Sequence, residues 1–220
     1  MASQRRRSPL PARPRQDAAA ARRAVADLIR ALGLDPKREP ELAQTPARVA
    51  DLYAEIFAGL EPGAEPHPVT FPLAGAGLAA RRRKAGELVV VRDLPFHSLC
   101  VHHFVPFFGQ AHVAYLPGRR LIGLSGVARV LEYYARRPQL QERLTAQVAD
   151  HLVRLLRPRG VAVVIEGRHL CMEMRGVRKS GVFETRALRG ELARPQWAGL
   201  PMLGRTPGAK PRRSARGERD

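Results

Sequence analysis

Phe96-His97-Ser98-Leu99-Cys100-Val101-His102-His103-Phe104 is the stretch on which the reading of this chain turns. It holds one of two cysteines in 220 residues and three of the seven histidines. β-rich runs flank it: Glu87 to Leu94 contains Leu-Val-Val-Val, and Gly109 to Leu116 follows, before Pro117-Gly118 marks a turn. The Cys/His segment therefore lies between two strands of one sheet. Arg168-His169-Leu170-Cys171 repeats the same chemistry far downstream, after a Gly160–Glu166 strand centred on Ala-Val-Val-Ile.

Helical signals surround these strands. Asp17 caps a first helix whose apolar stripe is Val25, Leu28, Ile29 and Leu32, stopped by Gly33. Thr45-Pro46 starts a second, with the Thr hydroxyl as cap and Val49, Leu52, Tyr53, Ile56 and Phe57 facing inward up to Gly59. Residues 60–86 read as a Pro/Gly-rich loop with one short strand near Val69–Phe71. Ser125 caps a helix carrying Val127, Val130, Leu131 and Tyr134, and another helix runs from Gln139 to about Leu156. Val182 to Leu188 supplies a last strand. The order predicts an α+β domain with antiparallel pairing. It divides into a basic disordered tail (1–16), a helical region (17–59), an α+β domain (60–192) that holds the Cys/His segments, and a second basic Pro/Arg-rich tail (193–220).

Composition narrows the class. No run approaches the roughly 18 apolar residues that span a bilayer, and the Arg-rich start lacks the apolar core of a secretory signal. The cytoplasm is the compartment expected. Net charge is +18, but residues 1–23 and 205–220 carry more than half of it in segments too polar to pack a core. On the body, Arg81-Arg82-Arg83-Lys84 is the densest basic run. Nucleic acid is expected to bind weakly through the tails, if at all. Two cysteines in a cytoplasmic chain, each beside a histidine, favour metal ligation over a disulfide.

Cys100 and His103, three apart, can reach one metal from a turn, and Cys171 adds a third ligand. Zinc accepts sulfur and imidazole nitrogen at tetrahedral angles. Strict alternation after residue 168 predicts a strand with His169, Cys171, Glu173 and Arg175 on one face and Leu170, Met172 and Met174 on the core face. Three ligands leave a position open for water, with His102 and His169 free for proton transfer. The spacing also admits a closed Cys2His2 site that takes one of those histidines as fourth ligand. His67, His97, His112 and His151 read as packing or surface residues.

From about residue 33 to 190 the chain resembles the GTP cyclohydrolase I family. The resemblance rests on Thr45-Pro46-Ala47-Arg48-Val49-Ala50, Val91-Arg92-Asp93, the Cys-x-His-His run, Ile122-Gly123-Leu124-Ser125 and Arg137-Pro138-Gln139-Leu140-Gln141-Glu142-Arg143-Leu144-Thr145. It continues through His169-Leu170-Cys171-Met172 and Met174-Arg175-Gly176-Val177. The resemblance implies a T-fold assembled as a toroidal decamer with sites at subunit interfaces. It implies zinc held by Cys100, His103 and Cys171, and conversion of GTP and water to 7,8-dihydroneopterin triphosphate and formate, for pterin or folate synthesis. Metal-activated water would attack carbon 8 of the guanine. His102 and His169 match the proton-transfer residues, Glu142 the carboxylate that anchors the guanine edge, and Ser125, Arg129 and Arg175 the ribose and triphosphate contacts.

Three positions depart from the family pattern. Val101 stands where the family has Glu, Gly126 where it has Lys, and Phe183-Glu184-Thr185-Arg186 where it has a Thr/Ser-rich strand. These mark a divergent member and leave two rivals: a paralogue acting on a related purine nucleotide, and a non-catalytic zinc-stabilised oligomer that binds nucleic acid or protein through its tails.

Overall fold

The computed structural model describes residues 16–73 and 87–197. The basic run at 81–84 and nearly all of both tails lie outside them. Asp17 caps α1 (Ala18–Ala31), its carboxylate accepting the Ala20 N–H at 2.9 Å. α2 (Thr45–Ile56) follows, but Gln44 occupies the cap position and makes no side-chain cap bond. Thr45 is already the first helical residue, so the hydroxyl cap expected there is not made. The short strand expected before residue 86 is β1 (Thr70–Pro72), paired antiparallel with β4 (Arg120–Ile122).

The main sheet has the order β5-β2-β3-β6-β7. β2 (Val89–Cys100) and β3 (Pro106–Leu116) form a hairpin longer than the apolar runs suggest, with the Cys/His residues at its tip. β6 (Gly160–His169) pairs with β3 from Leu116↔Gly160 to Phe107↔His169, and β7 (Phe183–Gly190) closes that side, all antiparallel. On the other side β5 (Pro138–Gln139) lies parallel to the end of β2, an exception to the expected pairing.

α3 (Leu124–Ala135) and α4 (Gln141–Leu156) cover one face of the sheet. Val127, Val130, Leu131, Leu144, Val148 and Leu152 interlock there with Phe96, Phe107, Val113, Val161, Val163 and Ile165. The alternate residues of the same strands, Ala114, Leu116, Ala162 and Val164, pack with Leu192 on the opposite face. Burial on both faces is why Gly160–Ile165 reads as a continuous apolar run. Gly123, not Ser125, holds the cap position of α3, and Ser125 is exposed in its first turn. Leu140 rather than Gln139 precedes α4, since Pro138 and Gln139 are drawn into the sheet.

The strand expected through Arg175 stops at His169. Leu170–Glu173 instead forms α5, a single turn closed by the Met174 N–H on the Leu170 carbonyl at 2.9 Å. Its ladder partner has run out, because β3 begins at Pro106. The two-face pattern predicted for 169–175 is therefore not formed, and Met174, assigned to the core, is 64% exposed. No helix among the described residues is long and apolar enough to cross a membrane.

Candidate active site

A tight turn shapes the hairpin tip. The Cys100 N–H donates to the Val105 carbonyl, and the Phe104 N–H to that of Cys100. Phe104 takes up the left-handed φ of 51°, rare for a bulky side chain. Its ring packs against Tyr53 and Phe57, at centroid distances of 6.1 and 5.4 Å, so α2 holds the turn from outside. The Val101 N–H donates to Gln139 of β5 at 2.9 Å. Cys100 is thereby buried at the sheet's end, while His102 and His103 project into the open.

Cys100, His103 and Cys171 present ligand atoms that all lie within 4.8 Å of one another. Cys100 Sγ is 3.8 Å from His103 Nδ1. Tetrahedral zinc with ordinary bond lengths has ligand–ligand edges of about 3.3–3.8 Å, so a small closure completes the set. Burial, and then the adjacent Cys100 sulfur, push the Cys171 thiol up from its ordinary value. A divalent cation between the sulfurs would reverse that penalty, because it stabilises thiolate outright. Two soft sulfurs and one imidazole fit zinc. His102 Nδ1 also lies 3.8 Å from Cys100 Sγ, yet neither His102 nor His169 joins the group of mutually close ligand atoms among the described residues.

Arg175 Nη1 lies 3.0 Å from His103 Nε2. A guanidinium only donates, so this bond needs a lone pair on Nε2 and puts the proton of neutral His103 on Nδ1. Metal ligation through Nδ1 needs the opposite tautomer. The two uses of His103 exclude each other, and a bound metal would free Arg175 to meet an anionic ligand.

His169 is held on several sides. Phe107 stacks on its ring at 4.7 Å and 3°, and Phe183 meets it edge-on at 5.9 Å. His169 Nε2 lies 2.8 Å from Gln141 Oε1. The Gln141 amide cannot flip, because its nitrogen donates to the carbonyls of Ile165 at 2.9 Å and Phe183 at 2.7 Å, beside the Thr185 hydroxyl. Its oxygen must accept, so Nε2 carries the proton and Nδ1 of the neutral ring offers the lone pair. Burial lowers the His169 pKa below its ordinary value, opposed by Glu142 and Glu173. Gln141 was not singled out in the sequence. The signal for it was its place one residue before Glu142, at the start of an amphipathic helix.

Cys100, His102, Gln141, Glu142, His169 and Cys171 line one cavity of about 270 Å³, and His103 and Arg175 are not part of its wall. Glu142, exposed in the first turn of α4, stands at its rim. Ser125 and Arg129 do not line it. Arg129 borders a different hollow with Gly59, Tyr133 and Arg136. Gly126 is buried, and a Cβ built there would lie 2.6 Å from Ile122 Cγ1 and 2.8 Å from Pro68 Cβ. Pro68 and Ile122 occupy the room that a longer side chain would need.

A family model for GTP cyclohydrolase I matches residues 21–198. The GTP cyclohydrolase 1 of Mycobacteroides abscessus is 52% identical over 184 residues, covering 81% of this chain and 84% of that protein. That of Geobacillus kaustophilus is 50% identical over 169 residues, covering 76% and 85%. That of Halalkalibacterium halodurans is 50% identical over 172 residues, covering 77% and 86%. A solved structure of the archaeosine synthase QueF-Like in the apo form aligns at a TM-score of 0.37 and 18% identity, covering 47% of this chain and 93% of that one, too distant to carry an argument. Matched along most of its length by that model and by relatives at half identity, the chain belongs to the GTP cyclohydrolase I family.

Proposed function

We propose that the protein opens the imidazole ring of GTP hydrolytically at carbon 8, releases formate and yields 7,8-dihydroneopterin triphosphate for pterin or folate synthesis. One observation carries this reading: of a Cys100-His103-Cys171 group whose ligand atoms lie within 4.8 Å of one another, both cysteines line a cavity together with His102, His169 and Glu142. Cys100, His103 and Cys171 would hold zinc, which supplies Lewis acidity that brings a bound water toward neutral pKa.

The chain's own groups have separable tasks. Glu142 offers two acceptor oxygens to the N–H donors of the guanine edge. His169, with Nε2–H anchored on Gln141, turns Nδ1 outward as a proton acceptor of fixed direction. His102, exposed beside Cys100, can receive a second proton and return it to the leaving nitrogen. Arg175, once released from His103, meets phosphate oxygens with a bidentate fork.

Ser125 and Arg129 lie outside this cavity, so we assign their ribose and phosphate contacts to the neighbouring copy. The assembly is a T-fold homo-oligomer, a toroidal decamer, in which Ser125 and Arg129 of the partner subunit complete each site. The free thiols of Cys100 and Cys171 suit a reducing compartment, and we place the enzyme in the cytoplasm.

The deciding experiment measures formate and a pterin product from zinc-loaded protein given GTP, with other purine nucleoside triphosphates in parallel. Stoichiometric formate from GTP is the result expected. No formate from GTP at one zinc per subunit overturns the proposal; turnover of another purine alone would identify a paralogue. Deletion of 1–16 and 206–220 should leave turnover intact.

A further inference from the structure

At the end of the sheet opposite the metal centre, the turn after β3 meets the turn after α4. Gly118 permits the approach, since a Cβ there would collide with the Arg157 carbonyl oxygen. The Arg159 N–H donates to the Leu116 carbonyl at 2.9 Å and ties the turns together. Between them opens a cavity of about 840 Å³ lined by Arg119, Arg120, Arg154, Arg157 and Arg159. Nine ladder positions separate this end, at Leu116↔Gly160, from Phe107↔His169, which is about 30 Å along a strand.

Charge is unbalanced here. Arg159 is bound by the Glu191 carboxylate through Nε and Nη2. Among the described residues, the one hydrogen bond of the Arg154 guanidinium goes to the Tyr134 hydroxyl, at 3.3 Å. Among the described residues no carboxylate forms an ion pair with Arg119, Arg120, Arg154 or Arg157. Arg157 also sits in the left-handed position that ends α4, at φ 46°, where glycine is the favoured residue. Four exposed guanidinium groups around one concavity raise its potential until an anion enters.

We propose that this cavity is a second ligand site, for an oligophosphate: inorganic polyphosphate or the triphosphate of a nucleotide. Guanidinium forks match phosphate oxygens bidentately, and ligand pockets typically measure about 300–1,000 Å³. The arginines ring a hollow instead of forming an extended stripe, which favours a compact anion over a nucleic-acid backbone. This inference does not depend on the catalytic reading, and the two fail separately.

The test titrates inorganic tripolyphosphate into the full-length, zinc-loaded protein by calorimetry at low and moderate salt, against an Arg154→Gln/Arg157→Gly double variant. Glycine suits the backbone at 157, so the variant keeps the fold, which its melting temperature checks. The expected result is two binding classes, one at the catalytic site that the double variant leaves unchanged and one that it weakens about tenfold per guanidinium removed, with a shallower salt dependence and unchanged formate release. Competition by ATP for the class that the double variant weakens would identify a nucleotide ligand, and its absence inorganic polyphosphate. Unchanged tripolyphosphate affinity and stoichiometry in the double variant overturns the proposal, as does loss of binding to an RNA oligonucleotide with no tripolyphosphate binding in either protein. Should the double variant melt early, Arg157→Lys alone, which keeps charge but loses the fork, must still weaken binding.

Discussion

Replacing Gln141 by leucine tests the catalytic reading most sharply. The side chain is 1% exposed and makes three well-directed bonds: from its nitrogen to the carbonyls of Ile165 and Phe183, and to its oxygen from His169 Nε2. Leucine has similar volume but makes none of them. At about 1 kcal/mol net per bond the fold loses about 3 kcal/mol. For a chain of this size that lowers the melting temperature by about 6–12 °C. The imidazole keeps its Phe107 stack but loses the partner that fixes its tautomer. Loss of such an outer partner costs about 10–100-fold in rate. The fall should appear in kcat with KM little changed, since Gln141 is not assigned to the guanine. Zinc content should equal that of wild type, because none of the three ligands hydrogen-bonds Gln141. Nitrogen chemical shifts of His169 should report a single Nε2–H tautomer in wild type and a mixture in the variant. A zinc-replete Gln141→Leu enzyme with wild-type kcat and a single tautomer would refute the argument. So would activity that is lost only in step with zinc.

Other perturbations separate further parts of the structure. Cys171→Ser should lose zinc and turnover together, whereas His102→Ala should retain zinc and lose turnover; metal analysis beside formate release decides, and zinc loss in His102→Ala would show the wrong histidine assigned as ligand. Gly126→Lys should not improve GTP binding. The new Cβ would press on Ile122 and Pro68, and overpacking of this kind costs about 1–3 kcal/mol, read as a lower melting temperature. His151, buried against Tyr134, has its pKa lowered from 6.5 by burial, then by Arg154. The folded state therefore takes up this proton less readily than the unfolded chain. Stability from this site is complete above pH 6.5 and declines as pH falls below it. A His151→Gln variant should show a flatter melting temperature between pH 6.5 and 5; an unchanged slope would exclude the site.

Much of the fold was legible because it rests on short-range patterns. The presence of α1 and α2, the Asp17 cap and the two-faced apolar run of β6 each follow from neighbouring residues, but Leu28, Leu32 and Leu52 of the expected inward stripes are exposed. The expectations that failed lay where distant partners decide. Thr45 and Ser125 each missed the cap position by one or two residues, since a cap depends on how the preceding chain enters the helix. Pro138 reads as the end of one helix and Gln139 as the start of the next, but the free edge of β2 takes both as a strand. Residues 169–175 alternate like a strand, yet β3 starts at Pro106 and leaves Leu170 onward with nothing to pair. Within the site, the ligand trio came from residue type and spacing. Gln141 did not, because an amide has no distinctive chemistry until its partners are known.

Taken alone, the Cys100–His103 stretch pointed to soft metal chemistry and, with the motifs around it, to the family. Sequence could name Cys100, His103 and Cys171 because sulfur and imidazole are few and their affinity for a metal is intrinsic. Only the tertiary structure decided which histidine turns toward which partner, that Arg175 holds the His103 nitrogen whose tautomer a metal would reverse, and that Ser125 and Arg129 lie outside the cavity. It also gathered five arginines from the last turn of α4, the start of β4 and the turns beside them, which the sequence keeps apart. Ligand identity is a property of a residue; direction and company are set by the sheet that brings β2, β6 and α4 to the same place.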